Sequence, residues 1–346
     1  MLFSNSKKKE LTLRGDHYSH EFSLHLLVLL AVHGVHIAVE FGSIWGAHQG
    51  TKAVEAIWLH YIQNLCFSKK AMKKMKKLRV LYIGRFHTHD DTIEYLPNNL
   101  RWFECIWYPW KSLPENFEPK RLVHLDLQYS LLRYLWIGTK HFPSLRRINL
   151  SFSRSLIRTP VFTGMPNLEY LNLEGCSNLE EVHHSLGCSR KLIELNLSWC
   201  VSLKRFPYVN VESLESLNLQ HCSSLEKFPE ILGRIKPLEL DIQMRKNVIG
   251  ELPSSIFQHQ ACLTELDLSF LINIVALPSS IGMLKGLVKL HVRYCSKLEI
   301  LPEEIGDLEN LEKLDASYSR LISQPPASII RLNKLKFLSF GKEIQK

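Results

Sequence analysis

The sequence predicts an α/β solenoid, a horseshoe of short coils with a parallel concave sheet, because one leucine frame returns along most of the chain. The frame is clearest in residues 192–207, which read L-x-x-L-x-L-x-x-C-x-x-L-x-x-F-P. It recurs every 22 to 25 residues, a length and pattern typical of leucine-rich repeats. Eleven units begin at Leu78, Leu100, Leu122, Leu145, Leu168, Leu192, Leu214, Leu263, Leu287, Leu311 and Leu335. With a degenerate unit near Ile235–Ile242, about 11–12 repeats are expected.

Each unit is numbered here from its first leucine as position 1. Positions 4 and 6, Leu195 and Leu197 in the clearest unit, should point inward from a short strand, while Asn196 between them faces solvent. A single strand cannot bury its apolar side, so the coils must stack in parallel. Leu203 and Phe206 should fill the far wall, and Pro207 should block further strand pairing there.

Position 9 is a cysteine in four units, and a small polar group there can bond backbone amides in the buried turn. These residues are Cys176, Cys200, Cys222 and Cys295. Four of the eight cysteines thus share one structural position, which favours reduced thiols and a reducing compartment over a disulfide framework.

Three regions are distinguished by composition. Residues 1–48 form an atypical, apolar and histidine-containing extension, residues 49–77 a linker strand with an amphipathic capping helix, and residues 78–346 the repeats. In the extension, basic residues precede the apolar stretch Phe22–Val39, which could be a signal or membrane anchor, or an extension without a defined role. No polar cap follows Phe340, so the chain reads as one cut short.

The linker region predicts a strand in 50–59 and then a helix whose apolar face carries Phe67, Ala71, Met75 and Leu78, with Ser68 as its N-cap. The opposite face is rich in lysine. Such a basic run could bind nucleic acid, but a solvated face of a helix that caps the first repeat explains it more simply. Near Ile235 the frame slips, since either Ile235, Leu238 and Leu240 or Leu238, Leu240 and Ile242 could supply the apolar positions of the unit, and distortion is expected there.

No catalytic constellation emerges, so the sequence favours a non-enzymatic protein without cofactor or metal. His87, His89, Asp90 and Asp91 share one polar loop, but they lack a zinc-binding spacing. The net charge of +9 permits acidic partners without demonstrating them.

The concave face carries the candidate binding residues. Position 8, at the exit of each strand, is aromatic in seven of nine regular units. Strands about 4.8 Å apart should align these rings into a column, either as a partner interface or as a structural ladder. The candidate residues are Trp102, Trp107, Tyr129, Phe152, Trp199, His221, Phe270, Tyr294 and Tyr318.

Beside the column, positions 2, 3 and 5 carry both signs of charge, for example Arg146 and Arg147, Glu265 and Asp267. Interleaved charge differs from the continuous basic stripe that binds phosphates. A protein partner is therefore expected, rather than nucleic acid, a membrane or a small molecule.

Several motifs resemble plant TIR-type NB-LRR disease-resistance proteins. Residues 50–59 look like the linker between the nucleotide-binding domain and the repeats, and A-x-x-x-M-x-x-L-R-x-L at 71–81 resembles the start of the repeats. Leu-Pro endings and the motifs EGCS, QHCS and RYCS at 174–177, 220–223 and 293–296 are similar too. The resemblance implies the repeat module of an intracellular immune receptor, in the cytoplasm with or without access to the nucleus, that senses a pathogen effector or a guarded host protein.

The chain departs from that family in one respect. It contains no G-x-x-x-x-G-K-[ST], and no room for a TIR domain precedes Gly50, so the nucleotide binding and NAD cleavage of the other domains are not carried over. Two rivals stay open: a secreted or membrane-anchored repeat receptor, and a scaffold or decoy fragment that senses nothing.

Overall fold

The computed structural model describes residues 53–62, 69–86, 88, 92–233, 241–244, 246–254, 257, 263–322 and 324–341, and structural statements below concern these residues. The extension 1–48, the Ser68 cap and the loop with His87, His89, Asp90 and Asp91 lie outside them.

The concave side of the molecule is built from parallel strands, one to a coil. The strands are β1 (Ala56–Ile62), β2 (Val80–Phe86), β3 (Trp102–Cys105), β4 (His124–Asp126), β5 (Arg147–Asn149), β6 (Tyr170–Asn172), β7 (Glu194–Asn196), β8 (Tyr208–Asn210), β9 (Ser216–Asn218), β10 (Glu230–Leu232), β11 (Asp241–Gln243), β12 (Glu265–Asp267), β13 (Lys289–His291), β14 (Lys313–Ser317) and β15 (Phe337–Gly341). A nine-stranded sheet in the order β1-β2-β3-β4-β5-β6-β7-β9-β11 is followed, within the described residues, by a four-stranded sheet β12-β13-β14-β15. The predicted α/β solenoid is thereby confirmed.

Strand register stacks the leucine positions of successive coils. Leu171, Leu195 and Leu217, all at position 4, lie directly opposite one another and are at most 2% exposed. Leu197 at position 6 is fully buried as well. Each coil therefore buries its apolar side only between its two neighbours, as the repeat pattern predicts.

The linker region joins the same stack. Strand β1 pairs in parallel with β2, and between them lies helix α1 (Lys69–Lys74). The helix is shorter than predicted: Ala71 and Met72 are buried within it, whereas Met75 and Leu78 are buried after it has ended, and Phe67 lies outside the described residues. Lys69 and Lys70 are exposed. The basic run thus includes a solvent-facing side of a short helix that covers the first coils.

The far wall differs from expectation at Pro207. Strand β8 begins directly after this proline and pairs in parallel with β10, and the Pro207 carbonyl accepts the Glu230 N–H. A proline lacks only its N–H, so its carbonyl remains available to the next coil. Elsewhere this wall holds short 3₁₀ helices that begin just after prolines or a histidine: His184–Cys188, Ser279–Met283, Glu303–Asp307 and Ala327–Arg331.

Both frames considered for the degenerate unit are wrong. Strand β11 pairs with β9 so that Ile242 lies opposite Leu217, and Met244 is fully buried two residues later. Positions 4 and 6 therefore fall on Ile242 and Met244. No β11–β12 pairing is seen among the described residues, and the sheet divides after this irregular unit.

The position 9 side chains form a buried polar ladder. Each cysteine thiol donates to a carbonyl of the preceding coil, for example Cys200 Sγ to Leu173 O at 3.1 Å. A serine at this position bonds in the same way: Ser153 Oγ accepts the Ser130 N–H at 3.1 Å and donates to Leu127 O. Backbone groups of the preceding coil also hydrogen-bond the thiols of Cys176, Cys200 and Cys222, so the predicted bonding of backbone amides is confirmed. Burial raises the pKa of Cys222 to about 12, which keeps the thiol protonated as a donor.

Candidate functional site

From Trp107 onward, the position 8 residues of the described coils stand in a left-handed backbone turn at the exit of the strand. Their φ angles lie between 57° and 66°, a region that costs a residue with a side chain about 1–2 kcal/mol. Gly175 adopts the same conformation, with φ of 66°. The residues with side chains are Trp107, Tyr129, Phe152, Trp199, His221, Lys246, Phe270, Tyr294 and Tyr318.

Two sets of hydrogen bonds hold this turn in place. The position 8 N–H donates to the position 7 carbonyl of the next coil, as from Trp199 to Gln220 O at 2.8 Å. Within the coil, the position 5 side chain accepts the position 7 N–H, as Asn196 Oδ1 does from Ser198 at 3.0 Å. Asparagine and aspartate side chains commonly form such turns. The strained conformation therefore persists because its surroundings determine it.

Position 5 is thus a structural position, which the sequence reading missed when it assigned these residues to the partner-facing surface. The same bond is made by Asp126, Asn149, Asn172, Asn196, Asn218, Asp267 and Asp315. The sequence contains a signal for this role, because position 5 is asparagine or aspartate in most units.

The rings stack along the solenoid axis, and we call this set the aromatic column. Trp107 stacks on Tyr129 at 4.9 Å between ring centroids, and Tyr129 on Phe152 at 5.1 Å. Trp199 stacks on His221 at 3.7 Å. Farther along, Phe270, Tyr294 and Tyr318 stack with separations of 4.6 and 4.5 Å. The predicted alignment is therefore present, as three stacks among the described residues.

Trp102 does not belong to the column. It lies at position 3 on β3, where it stacks on His124 at 3.6 Å and donates from Nε1 to Glu104 at 3.4 Å. Farther along the same face, the Arg147 guanidinium lies 3.6 Å from the Tyr170 ring centroid. Position 3 therefore carries a second run of planar groups, which the sequence reading did not recognise as stacked.

The column is partly open to solvent. Trp107 and Trp199 are each 51% exposed, and each is the first ring of its stack. Tyr294, which has a ring on both sides, is 39% exposed. Stacking and exposure occur together here, so the rings stabilise one another and still present aromatic surface.

Two carboxyl groups lie buried near the first coils. Burial raises the pKa of Glu104 to about 7, and the neighbouring Asp126 adds to the shift. Asp126, whose pKa burial raises to about 6, accepts hydrogen bonds from Gln128 and Asn149. Burial lowers the pKa of His124 to about 3, helped by the positive charge of Arg147, so its imidazole is neutral. This part of the face therefore carries less charge than the sequence implies.

The described residues contain no group of three or more metal-binding side chains, and no helix among them is long and apolar enough to cross a membrane. The stacked strands and the exposed concave column define the class of molecule: a leucine-rich-repeat solenoid with a surface suited to binding.

Comparisons with known proteins give the family. A family model described as "Disease resistance protein RPS4B-like, leucine-rich repeats" matches residues 210–300. TMV resistance protein N of Nicotiana glutinosa is 60% identical over 305 residues, which are 88% of this chain and 26% of that protein. Disease resistance protein RRS1 of Arabidopsis thaliana is 35% identical over 178 residues, 48% of this chain and 13% of that protein. The repeats of this chain are similar to those of plant TIR-type NB-LRR disease-resistance proteins.

The chain spans about a quarter of the length of TMV resistance protein N. Among solved structures, an LRR protein of Leptospira interrogans aligns with a TM-score of 0.32 and 22% identity, over 83% of this chain and 90% of that one. The parallel stacking of the strands itself establishes the leucine-rich-repeat fold.

Proposed function

We propose that this chain is the protein-binding module of a plant intracellular immune receptor, and that it engages a pathogen effector or a guarded host protein through its concave face. Its function is then binding and not catalysis. The relatives are disease-resistance proteins, which supports the defence context. The aromatic column carries the proposal, because exposed aromatic side chains supply much of the binding energy at protein interfaces.

The charge of the surrounding face supports a protein partner. Lys289 pairs with Glu265 at 3.0 Å, and Arg146 with Glu169 at 2.5 Å. Basic groups that are already paired with carboxylates offer little to a phosphate backbone. The column and its mixed-charge border match the aromatic centre and polar rim of protein interfaces better than a nucleic-acid groove.

The test is capture of neighbouring proteins in plant leaf cells by the chain fused to a proximity-labelling enzyme. The double variant Trp199→Ala, Tyr294→Ala removes two column rings. A matched double variant, Ile137→Ala, Ile330→Ala, removes two apolar side chains that are 82% and 85% exposed outside the column. We expect the first variant to lose proteins that the wild type and the matched variant both label, with circular dichroism unchanged.

An unchanged set of labelled proteins would favour the structural-ladder interpretation of the column. Gross unfolding of the column variant would favour it as well, because the rings would then be needed for the fold itself.

The secreted or anchored receptor remains the rival proposal. Its glycosylation sites would be Asn149 and Asn196, at N-L-S sequons. Both side chains are half-buried and hydrogen-bonded: Asn149 donates to Asp126, and Asn196 donates to Glu174. A glycan would replace one of the two hydrogens on either nitrogen and would need space beside a half-buried, hydrogen-bonded side chain, which speaks against that proposal.

Localisation of the tagged chain, with and without residues 1–48, separates the two proposals. Cytosolic signal without a glycosidase-sensitive mass shift supports the intracellular module. A shift at either sequon would overturn it in favour of a cell-surface receptor. A decoy or scaffold would also label proteins, but its removal would leave the defence response unchanged.

A further inference from the structure

The aromatic column is interrupted at two places where position 8 carries no ring. One is Lys246, whose Nζ lies 5.9 Å from the centroid of the Phe270 ring on the following coil. Here the chain places its own cation over the first ring of a stack. The other interruption is Gly175, which has no side chain to offer to Trp199 on its following coil.

The ring of Trp199 is covered on one side only. His221 stacks on it at 3.7 Å, yet the indole side chain is still 51% exposed. Among the described residues no ring contact joins Phe152 to Trp199. The face of Trp199 that looks toward Gly175 is therefore open.

The chain itself cannot easily fill this gap. A Cβ atom on residue 175 would lie 2.6 Å from Cδ1 of Phe152, and φ of 66° adds strain for any side chain. A side chain at residue 175 would therefore have to displace the Phe152 ring, which leans over the backbone there. An occupant of the open indole face has to come from another molecule.

The charge around the gap is negative in a protein whose net charge is +9. In the coils that begin at Leu168, Leu192 and Leu214, concave positions 2, 3, 5 and 7 include no lysine or arginine. Arg146 of the preceding coil pairs with one of the carboxylates there. The carboxylates are Glu169, Glu174, Glu194 and Glu215.

Glu174 is the carboxylate placed next to Gly175 in the chain. Its Oε2 accepts one hydrogen bond from Asn196 Nδ2 at 3.2 Å, and Asn196 Oδ1 in turn accepts the Ser198 N–H. Ser198 immediately precedes Trp199. The carboxylate therefore reaches the strand exit from which the open indole projects, and one of its oxygens has capacity for a further donor.

We propose that the open face of Trp199 binds the guanidinium group of an arginine on the partner protein, with Glu174 as its counter-ion. The proposal rests on the proposed function and names the side chain that the partner contributes. A planar cation suits both groups, since it stacks on the indole and donates to the carboxylate. The same face already contains such a pair, Arg147 on Tyr170.

The test uses the full chain labelled with 5-fluorotryptophan at its seven tryptophans, with the Trp199 resonance assigned from Trp199→Phe. The probes are Nα-acetyl-arginine amide and its neutral counterpart, Nα-acetyl-citrulline amide. We expect a saturable ¹⁹F shift at Trp199 with the arginine probe only. Glu174→Gln should weaken that binding by about threefold to tenfold, typical of one exposed cation–carboxylate contact with its share of stacking.

Trp107 provides the matched internal control. It is equally exposed at 51% and also begins a stack, but the preceding coil places Arg85 at position 8. A positive charge there should disfavour a second cation, so its resonance should not show saturable binding.

Three results would overturn the proposal: equal shifts with the citrulline probe, binding at Trp107 as strong as at Trp199, or no saturable shift at Trp199 up to the solubility of the arginine probe. If Glu174→Gln does not change the affinity for the arginine probe, Glu174 is not the counter-ion. The titration needs no cellular partner, so the two experiments test the two proposals separately. A failed titration would overturn the arginine site without affecting the protein-capture result, and a failed capture experiment would count against the proposed function without affecting the titration.

Discussion

The left-handed turn at position 8 can be tested with two substitutions of one residue, Tyr294→Ala and Tyr294→Gly. Tyr294 has φ of 57° and stacks on rings at 4.6 and 4.5 Å on its two sides. Each stacked pair contributes roughly 0.5–1.5 kcal/mol beyond area burial, so both variants should lose about 1–3 kcal/mol of unfolding free energy. The loss of the rings is common to both.

The difference between the two variants isolates the backbone. Alanine keeps the steric cost of φ > 0, about 1–2 kcal/mol, whereas glycine does not have it. The larger conformational entropy of glycine in the unfolded chain lowers the unfolding free energy of the glycine variant by about 0.5–1 kcal/mol, which offsets part of this difference. Tyr294→Gly should therefore be more stable than Tyr294→Ala by about 1 kcal/mol.

The measurement is urea unfolding followed by circular dichroism, with Ile272→Ala and Ile272→Gly as the control pair. Ile272 is similarly exposed at 45% and is not in the left-handed region. There, glycine should be the less stable variant by about 0.4–1 kcal/mol. If the glycine variant is less stable than the alanine variant at residue 294, as it should be at residue 272, then Tyr294 does not occupy a left-handed turn.

Three further outcomes are expected. Leu195→Asp should abolish the cooperative unfolding transition, because Leu195 is fully buried between two coils. The control Glu194→Asp, on the exposed side of the same strand, should keep the transition. Protease resistance retained in Leu195→Asp would contradict the burial of this leucine between stacked coils. The folded-state pKa of Glu104, raised to about 7, means that the native chain holds a proton which the unfolded chain releases, so stability should fall as pH rises from about 4.5 to 7. Glu104→Gln should reduce the dependence of the urea midpoint on pH and raise the unfolding free energy at pH 8 by roughly 1–3 kcal/mol. If the urea midpoint of the variant depends on pH as steeply as that of the wild type, Glu104 is not the titrating group. Brief iodoacetamide treatment with peptide mapping should label exposed Cys188 but not buried Cys200 until urea is added, and equal labelling in the native chain would contradict the buried ladder.

The sequence by itself determined the solenoid. Leucines at positions 1, 4 and 6 recur so regularly that only stacked parallel coils can bury them, and the register of Leu171, Leu195 and Leu217 follows from that repeat. The ring at position 8 was readable for the same reason, since equal spacing in the sequence becomes alignment in a stack. The sensing role of these rings stays a prediction.

Where the repeat pattern weakens, the sequence was a poor guide. In the degenerate unit, competing apolar residues fitted the frame almost equally well, and only strand pairing with β9 decided that Ile242 takes position 4. The pairing of strand β8 after Pro207 could not be predicted either, because it depends on a hydrogen bond from the next coil to the Pro207 carbonyl and not on any residue type in the unit.

The tertiary structure alone decided which side chains are structural and which are free to bind. Asn196 reads as a solvent-facing polar residue, yet it fixes the turn at Trp199 because a backbone N–H two residues later meets its side chain. Glu104 reads as a surface charge, yet burial and the nearby Asp126 raise its pKa. The open face of Trp199 depends on the neighbouring coil, where Gly175 leaves the column without a ring. Repeats fix what each coil shares, whereas binding depends on contacts between coils, which form only in the stack.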